Sequence, residues 1–432
     1  MSGDYSGWNF GLGEGGFGGL AIAAVIIAAM YFALVLGMAE LSSALPAAGG
    51  GYTFARRALG PWGGFATGTA ILIEYSIAPA AIATFIGAYV ESLHIFGITD
   101  GWWVYLAAYA VFIGIHLAGV GEALKVMFAI TAIALIGLLV FAVTAIGHFD
   151  AANLTNIAPT DAAGASEFLP FGYLGIWSAI PFAIWFFLAV EGVPLAAEET
   201  SNPERNVPRG IIAAMSVLLV TCAAVLILTT AAGGASEMSE SGNPLVEALG
   251  DGSAAKIVNY IGLAGLIASF FSIIYAYSRQ LFALSRAGYL PTTLSVTNRR
   301  KAPMLALIVP GVIGFVLSLT GKGELLLNMA VFGAALSYVL MMVSHIVLRV
   351  REPGMRRPYR TPGGIVTTGF ALTIAAIAVI ATFLVDVVAA CWCLGVFALF
   401  MLYFAVYSRH RLVANSPDEE FAALAAAEED VR

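Results

Sequence analysis

The chain has 432 residues, of which 60% are hydrophobic and only 11% are charged, and its formal net charge is −7. Too few polar residues are present to cover the surface of an ordinary water-soluble protein, so the composition excludes that class. The apolar stretches are continuous and do not alternate with polar residues, which also excludes a porin-type barrel. The sequence therefore predicts a helical protein that crosses a membrane many times.

Apolar segments of about 20 residues, the length that crosses a bilayer as a helix, recur along the chain. In chain order they cover residues 17–44, 63–92, 102–120, 123–147, 173–197, 209–233, 254–280, 303–320, 325–348, 364–385 and 387–408. Residues 1–16 lack the basic start and the apolar core of a secretory signal peptide, so we expect no cleavage there. The predicted class is an all-α polytopic membrane protein.

The basic residues predict how these helices are oriented. If the segments alternate across the bilayer, 18 of the 20 lysines and arginines fall on one side, and only Lys256 and Lys322 fall on the other. Cytoplasmic loops carry an excess of basic residues, so we expect a bacterial inner-membrane protein with its C-terminus in the cytoplasm. The negative charges lie mostly in outer loops and in the tail, so the net charge says little about a ligand.

Two segments are interrupted by polar or helix-breaking residues. One interruption lies at residues 2–11, and the other is Glu191-Gly192 within the apolar run 185–194. A buried charge and a broken helix are tolerated at membrane depth only where they line a protected cavity. Each interruption is therefore a candidate binding site.

Four uninterrupted segments follow each interruption. This count is typical of transporters built from two inverted repeats of five helices, in which the first helix of each repeat is broken. The last two segments fall outside the repeats. We predict a first repeat at 1–147, an outer loop at 148–172, a second repeat at 173–348, an inner loop with two C-terminal helices at 349–408, and a cytoplasmic tail at 409–432.

Several short motifs resemble those of a known family. They are Glu40-Leu41-Ser42, the stretches 46–52 and 60–65, and the run Glu198-Glu199-Thr200-Ser201-Asn202-Pro203-Glu204-Arg205-Asn206-Val207-Pro208-Arg209. With them, nearly the whole chain resembles the amino acid–polyamine–organocation (APC) superfamily. The stretches 2–9, 54–57, 73–82 and 191–199 are similar to its ethanolamine permease branch. The resemblance implies a leucine-transporter-type fold and the uptake of a small amine.

The start of the chain departs from the family pattern. Family members have a further half-helix before the first break, whereas Met1 stands directly against that break here. A free α-amino group near the middle of the bilayer would be costly and would lie beside a site for a cationic substrate. We therefore expect the native protein to carry additional residues upstream of Met1.

The resemblance also implies which groups bind the substrate. In amino acid transporters of the superfamily, N–H groups at the first break hold the substrate carboxylate, and carbonyls at the second break hold the ammonium. Ethanolamine has no carboxylate, so its hydroxyl would use the first break, and its ammonium would use carbonyls, aromatic faces and a carboxylate. The predicted substrate-binding residues are Ser2, Gly3, Asp4, Ser6, Trp8, Tyr75, Trp185, Phe186, Phe187, Leu188 and Glu191.

Each candidate also has a purely structural interpretation. Glu191 could cap the second half-helix, and Asp4 could cap the outer half of the first broken helix. Glu74 lies in a motif that APC proteins share whatever they carry, which favours a structural hydrogen bond. Tyr75 and the aromatic run 185–187 could simply pack, although their common position at a break favours a binding role.

The coupling ion is the least determined property. Some superfamily members use a lysine in the fifth span, but the corresponding position here is Ala134. The hydroxyls of Ser269 and Ser272 could contribute to a sodium site or could bond within their own helix. Proton transfer through Glu191 is favoured, while sodium coupling, exchange and uniport stay open.

The chain contains neither the spacing of a metal site nor a Ser/His/Asp arrangement, so we predict no metal, no cofactor, no nucleic-acid partner and no enzymatic activity. The predicted function is secondary active transport that imports ethanolamine or a close small amine by alternating access. An amino-acid permease of the same superfamily is the first alternative. A membrane receptor that senses amines without transporting them is the second. The oligomeric state is left open.

Overall fold

The computed structural model describes residues 2–47, 49–93, 101–250 and 252–413, without the side chains of 120–124. The predicted tail beyond residue 413 lies outside the described residues. Within them the chain is helical, and the only extended pairing is a single bridge between Thr297 and Pro303. The prediction of an all-α polytopic membrane protein is confirmed.

Fifteen α-helices are formed by the described residues. They are α1 (Ser2–Tyr5), α2 (Phe10–Ala44), α3 (Gly51–Ser92), α4 (Gly101–Ala118), α5 (Val120–Ala145), α6 (Gly172–Ser178), α7 (Ile180–Trp185), α8 (Pro203–Gly233), α9 (Ala235–Met238), α10 (Pro244–Glu247), α11 (Ser253–Arg286), α12 (Met304–Ser318), α13 (Gly323–Arg351), α14 (Ile365–Val385) and α15 (Val387–Val406). A 3₁₀ helix, Val190–Glu199, follows α7 after a turn at residues 186–189.

Ten helical segments of the described chain are long and apolar enough to cross a membrane, and α12 is a shorter apolar helix of 15 residues. Together they correspond to the eleven predicted segments. The helix α2 bends sharply at Gly16, whose φ of 65° lies in the left-handed region that glycine adopts without steric cost. This bend separates a short stretch after the first interruption from the long predicted span at 17–44.

The centre of the bundle is formed by α2, α3, α7, α11 and α13, whose side chains are largely buried. Close packing of α3 on α13 depends on a small residue, since a Cβ on Gly333 would lie 3.0 Å from the backbone nitrogen of Glu74. Large apolar side chains on the outer helices are exposed, as expected of a surface that faces lipid, for example Phe128 on α5 (78% exposed) and Val366 on α14 (81%).

One end of the bundle, which we call the basic face, is held by ion pairs between loops and helix ends. Glu40 at the end of α2 is buried and accepts hydrogen bonds from Arg349 (2.8 Å, Nε to Oε1) and from the N–H of Thr361 (2.7 Å). The Nε of Arg357 lies 3.0 Å from the same carboxylate. Because a buried carboxylate is stable only when it is paired and hydrogen-bonded, this arrangement fixes α2 against α13 and the loop at 352–364.

Candidate functional site

The second interruption lies where α7 ends. Residues 186–189 form a turn, and the 3₁₀ helix begins at Val190, whose N–H donates to the carbonyl of Phe187 (3.3 Å). Ala189 has a φ of 69°, a left-handed conformation that costs a residue with a Cβ roughly 1–2 kcal/mol. The surrounding structure must therefore hold this break in place.

The first interruption lies between α1 and α2, at residues 6–9. The N–H of Gly7 donates to the side-chain oxygen of Asn9 (3.0 Å), and the Asn9 amide donates to the carbonyls of Met238 (2.8 Å) and Ser241 (2.9 Å). The hydroxyl of Ser6 donates to the carbonyl of Gly242 (3.0 Å). The segment between α8 and α11 thus holds this break from the side opposite to the basic face.

The two breaks are in direct contact. A Cβ on Gly3 would overlap the carbonyl oxygen of Trp185 and lie 2.8 Å from the Cα of Phe186, so only glycine permits this approach. The indole N–H of Trp185 donates to the carbonyl of Ser6 (3.0 Å). The Trp8 ring stacks on Phe186 with 5.4 Å between ring centroids. The structure therefore brings together five of the predicted residues, drawn from both breaks.

Glu191 lies beside the second break and is 2% exposed. Its Oε1 accepts a hydrogen bond from the hydroxyl of Tyr75 (2.9 Å), and its Oε2 accepts one from Tyr338 (3.0 Å). The hydroxyl of Tyr31 in turn donates to Tyr338 (2.9 Å). The carboxylate is thus bound by phenols from α3 and α13, and the network reaches α2.

Glu74 of α3 completes this group of side chains. It is fully buried, and neither of its carboxyl oxygens accepts a hydrogen bond from a donor in the described part of the chain. Its carboxyl lies within hydrogen-bonding reach of the Glu191 carboxyl. Like charges so close together repel each other, so a proton shared between the two carboxyls would lower the cost of burying them. The sequence predicted only a structural hydrogen bond for Glu74, whereas the structure places it beside the Glu191 carboxyl.

The remaining predicted residues lie at different places. The Phe187 ring packs against Tyr31, with centroids 5.3 Å apart, and Leu188 is partly exposed. The Asp4 carboxyl is buried and lies within hydrogen-bonding reach of Thr221 on α8. It therefore lies on the side of α1 that faces α8.

The two serines that were candidates for a sodium site form hydrogen bonds within the protein. Ser269 accepts the N–H of Ser2 at its hydroxyl oxygen (2.7 Å), and the hydroxyl of Ser272 donates to the carbonyl of Ala268 (2.7 Å) within its own helix. In the described residues, no group of three or more His, Cys, Asp or Glu side chains is arranged to hold a metal ion.

Sequence reasoning missed Tyr5, which fills the space between α1, α5 and α11. Its hydroxyl donates to the carbonyl of Ala134 (2.6 Å), and its own carbonyl accepts a hydrogen bond from Tyr89 (3.0 Å). A Cβ on Gly262 would lie 2.6 Å from Tyr89 and 3.2 Å from the Tyr5 ring, and a Cβ on Gly265 would overlap that ring. Tyr5 therefore packs directly beside Ala134, the fifth-span position that the resemblance aligns with a lysine of other superfamily members.

Tyr31 and Tyr338 were also missed. Both lie in apolar spans, where a tyrosine is usually assigned to packing. Tyr338 is 147 residues from its partner Glu191, and Tyr31 reaches that carboxylate only through Tyr338. A signal was nevertheless present, because a buried phenol needs a hydrogen-bond partner, and few polar groups are available within these spans.

An acidic groove opens on the side opposite to the basic face. It has a volume of about 320 Å³ and is lined by Phe10, Gly13, Glu14, Ser239, Glu240 and Glu324. Because Phe10 begins the helix that follows the first break, this groove lies next to the interrupted segment. Three carboxylates at such a place attract cations from solution.

Comparisons with known proteins agree with this geometry. The family model described as amino acid permease matches residues 2–412. The branched-chain amino acid permease BcaP of Bacillus subtilis (strain 168) is 26% identical over 384 residues, covering 82% of this chain and 78% of the relative. The L-asparagine permease of Streptomyces coelicolor (strain ATCC BAA-471 / A3(2) / M145) is 28% identical, with coverages of 82% and 76%. The methylthioribose transporter of Bacillus subtilis (strain 168) is also 28% identical, with coverages of 80% and 77%.

The family match spans nearly the whole chain, and the broken helices, the buried carboxyls and the lipid-facing exterior are arranged as a membrane transport protein requires. The relatives are named as permeases and transporters, not as enzymes. The chain therefore belongs to the amino acid permease family of the APC superfamily.

Proposed function

We propose that this protein is a proton-linked permease that imports a small neutral amino acid across the bacterial inner membrane. The observation that carries the proposal is the buried pair of Glu74 and Glu191 beside two broken helices. The names of two relatives, a branched-chain amino acid permease and an L-asparagine permease, support the substrate class. A third relative is named as a methylthioribose transporter, so the names of relatives alone do not identify the substrate. The chemistry of the site must distinguish between the candidate substrates.

The site is suited to an ammonium group. Trp8, Phe186, Phe187 and Tyr31 present aromatic faces where the breaks meet, and such faces attract cations. Glu191 adds a negative charge that is already oriented by two phenols. An ammonium bound here would lose its water, and the carboxylate and the aromatic faces would compensate its charge. A charge needs such compensation to cross the interior of a membrane.

The carboxyl pair supports coupling to protons. With one proton, the pair carries a single negative charge, which the ammonium group of the substrate neutralises locally. The carboxylate of an amino acid would lie apart from the pair, at the first break. Without that proton, the pair leaves an excess charge buried in the bundle, which disfavours closure around the substrate. Uptake should therefore increase as the outer solution becomes more acidic, because the outer pH loads the proton that accompanies the substrate.

Ethanolamine is the second candidate, and the first break favours it. The N–H groups of Ser2, Ser6 and Gly7 already donate to Ser269, Ser2 and Asn9 respectively, so a substrate carboxylate would have to displace these bonds. Ethanolamine needs only a partner for its hydroxyl. The resemblance of residues 2–9 to the ethanolamine permease branch supports the same candidate.

The location and orientation follow from the distribution of charge. The basic face carries the ion pairs of Glu40 and the arginine-rich loop at 352–364. Basic loops remain in the cytoplasm, so we place this face and the C-terminus there. The acidic groove then opens to the outside, where it meets a cationic or zwitterionic substrate first.

Uptake into proteoliposomes tests the proposal. Labelled alanine and labelled ethanolamine would be supplied with and without an inward proton gradient, each competed by an excess of the other compound. We expect saturable alanine uptake that the gradient stimulates, and replacing sodium with potassium should change nothing. Uptake of ethanolamine that alanine does not inhibit would select the second candidate. Binding of either compound without flux would overturn transport and favour the amine-sensing receptor.

A further inference from the structure

The loop between α11 and α12 carries three consecutive cations, Arg299, Arg300 and Lys301. All three are exposed, and within the described part of the chain none of them forms an ion pair. Other arginines of the basic face are paired with glutamates; they are Arg57, Arg279, Arg286, Arg349, Arg356 and Arg357. This loop therefore presents a concentrated positive charge that the described residues do not balance.

The loop is held in a defined shape. Asn298 accepts the N–H groups of Arg300 (2.9 Å) and Ala302 (3.1 Å) and donates its own amide to the carbonyl of Leu117 (3.0 Å) at the end of α4. One guanidinium nitrogen of Arg300 donates to the carbonyl of Ala118 (3.2 Å). Lys301 has a φ of 61°, which is uncommon for a residue with a side chain. The charges are thus fixed beside the last turn of α4.

A groove of about 390 Å³ lies between this loop and α4, lined by Gly114, Leu117, Ala118, Asn298, Arg299 and Arg300. A Cβ built on Gly114 would meet no atom within 4 Å, so the groove is open there. It continues onto a lipid-facing apolar surface, where Val111 on α4 is 54% exposed and Val312 on α12 is 55% exposed.

We infer that this groove binds an anionic phospholipid of the cytoplasmic leaflet, a site that is independent of the transported substrate. The phosphate of the headgroup would lie between Arg299 and Arg300, whose planar guanidinium groups fit phosphate oxygens well. The acyl chains would lie along α4 and α12, which pack against each other through Gly311 and Ile113. Basic clusters between helices at the cytoplasmic surface attract anionic lipids, and the apolar walls distinguish a lipid from free phosphate.

Native mass spectrometry of the full chain in detergent, titrated with phosphatidylglycerol or phosphatidylcholine, tests this inference. The variant R299Q/R300Q/K301Q should bind the first phosphatidylglycerol at least about tenfold more weakly and leave phosphatidylcholine binding unchanged. The charge-matched control is R205Q/R209Q/R351Q, which removes three exposed cations elsewhere on the basic face that form no ion pair with the described residues. It should retain the affinity of the unmodified chain within about twofold.

A second variant keeps the charges and narrows the groove. Gly114→Phe places a ring in the open space and should weaken phosphatidylglycerol binding while the loop remains intact. Equal losses of phosphatidylglycerol affinity in the loop variant and in its control would overturn the inference, because the loss would then result from the change in total charge. Displacement of the lipid by equimolar glycerol 1-phosphate would also overturn it, by showing that the groove binds a soluble anion.

Discussion

The two helix breaks contact each other, yet they are held by different kinds of interaction. The first is fixed through its backbone and its shape: Ser6 and Gly7 bond to neighbouring groups, Tyr5 fills a slot bordered by α5 and α11, and Gly3 permits contact with Trp185. The second carries the ionisable chemistry through Glu191 and its phenol partners.

This difference separates two tasks within one site. Backbone bonds and glycine contacts do not change with pH, so the contacts of Gly3, Ser6 and Gly7 stay the same in every charge state. The second break contains a buried carboxyl pair, whose net charge depends on one proton. We therefore expect substitutions at the second break to change the pH dependence of transport, and substitutions at the first to change its rate alone.

The largest effect is expected from Glu191→Gln. The substitution keeps the size of the side chain and removes the charge that faces the ammonium, so substrate affinity should fall about 10- to 100-fold, as for a lost charged hydrogen bond. Scintillation proximity binding measures it directly. Glu204→Gln is the control, because its partner Arg356 is exposed and the pair contributes little. Unchanged affinity in Glu191→Gln would remove this residue from the site.

Glu74→Gln should separate coupling from binding. The amide resembles a protonated carboxyl and donates to Glu191, so counterflow exchange of substrate should persist at near-normal rates. Stimulation of net uptake by an inward proton gradient should disappear, because no proton is exchanged at this position. Parallel assays of substrate exchange and of gradient-driven uptake measure whether coupling is lost while binding is retained. A variant that kept its gradient stimulation would contradict the role of the pair.

Gly3→Ala tests the contact between the breaks. The added methyl group overlaps the Trp185 carbonyl, and overpacking of this kind costs about 1–3 kcal/mol, which would lower uptake about fivefold or more. Gly13→Ala is the matched control, since its Cβ would meet only Ser239, at an ordinary 3.6 Å. The pH profile of the remaining Gly3→Ala activity should keep its shape. A shifted profile would show that the first break also senses protons.

The smallest effects distinguish two tyrosines. Tyr5→Phe removes a hydrogen bond to Ala134, worth about 0.5–1.5 kcal/mol, so the uptake rate should fall a few-fold without a change in pH dependence. Tyr338→Phe removes a donor to Glu191 at similar cost but should displace the pH profile. Uptake measured across external pH compares them. If uptake by the two variants depended on external pH in the same way, the proposed difference between the two breaks would be wrong.

Much of the fold was predictable because a bilayer tolerates few kinds of backbone structure and few charged residues in its interior. Apolar segments of sufficient length predicted the spans, and the basic residues predicted which loops share a side. Residues such as Gly7 and Glu191 marked the breaks, because they are unfavourable in an ordinary apolar helix. The family motifs, which the match over residues 2–412 confirms, added the type of protein.

The composition of the site was only partly predictable. Trp8, Trp185 and Phe186 were correctly expected to lie near a break, but Tyr31 and Tyr338 gave no local signal because each is an aromatic residue in an apolar span. Their role depends on a carboxylate from a distant helix. Glu74 was assigned to a structural hydrogen bond because its motif is shared across the superfamily. Its neighbour Glu191 is 117 residues away in the chain, so the sequence did not indicate their contact.

By itself, the sequence determined the membrane class, the order of the spans and the two places where the helices break. These properties depend on local hydropathy, charge and backbone propensity, and each of these can be read from residues that are close together in the chain. Only the tertiary structure decided that Glu74 meets Glu191, that Tyr5 fills the slot beside Ala134 and that the loop at 298–302 lies against α4. Those contacts join residues far apart in the chain, and their free energy arises from burial and mutual desolvation, which exist only once the helices have packed.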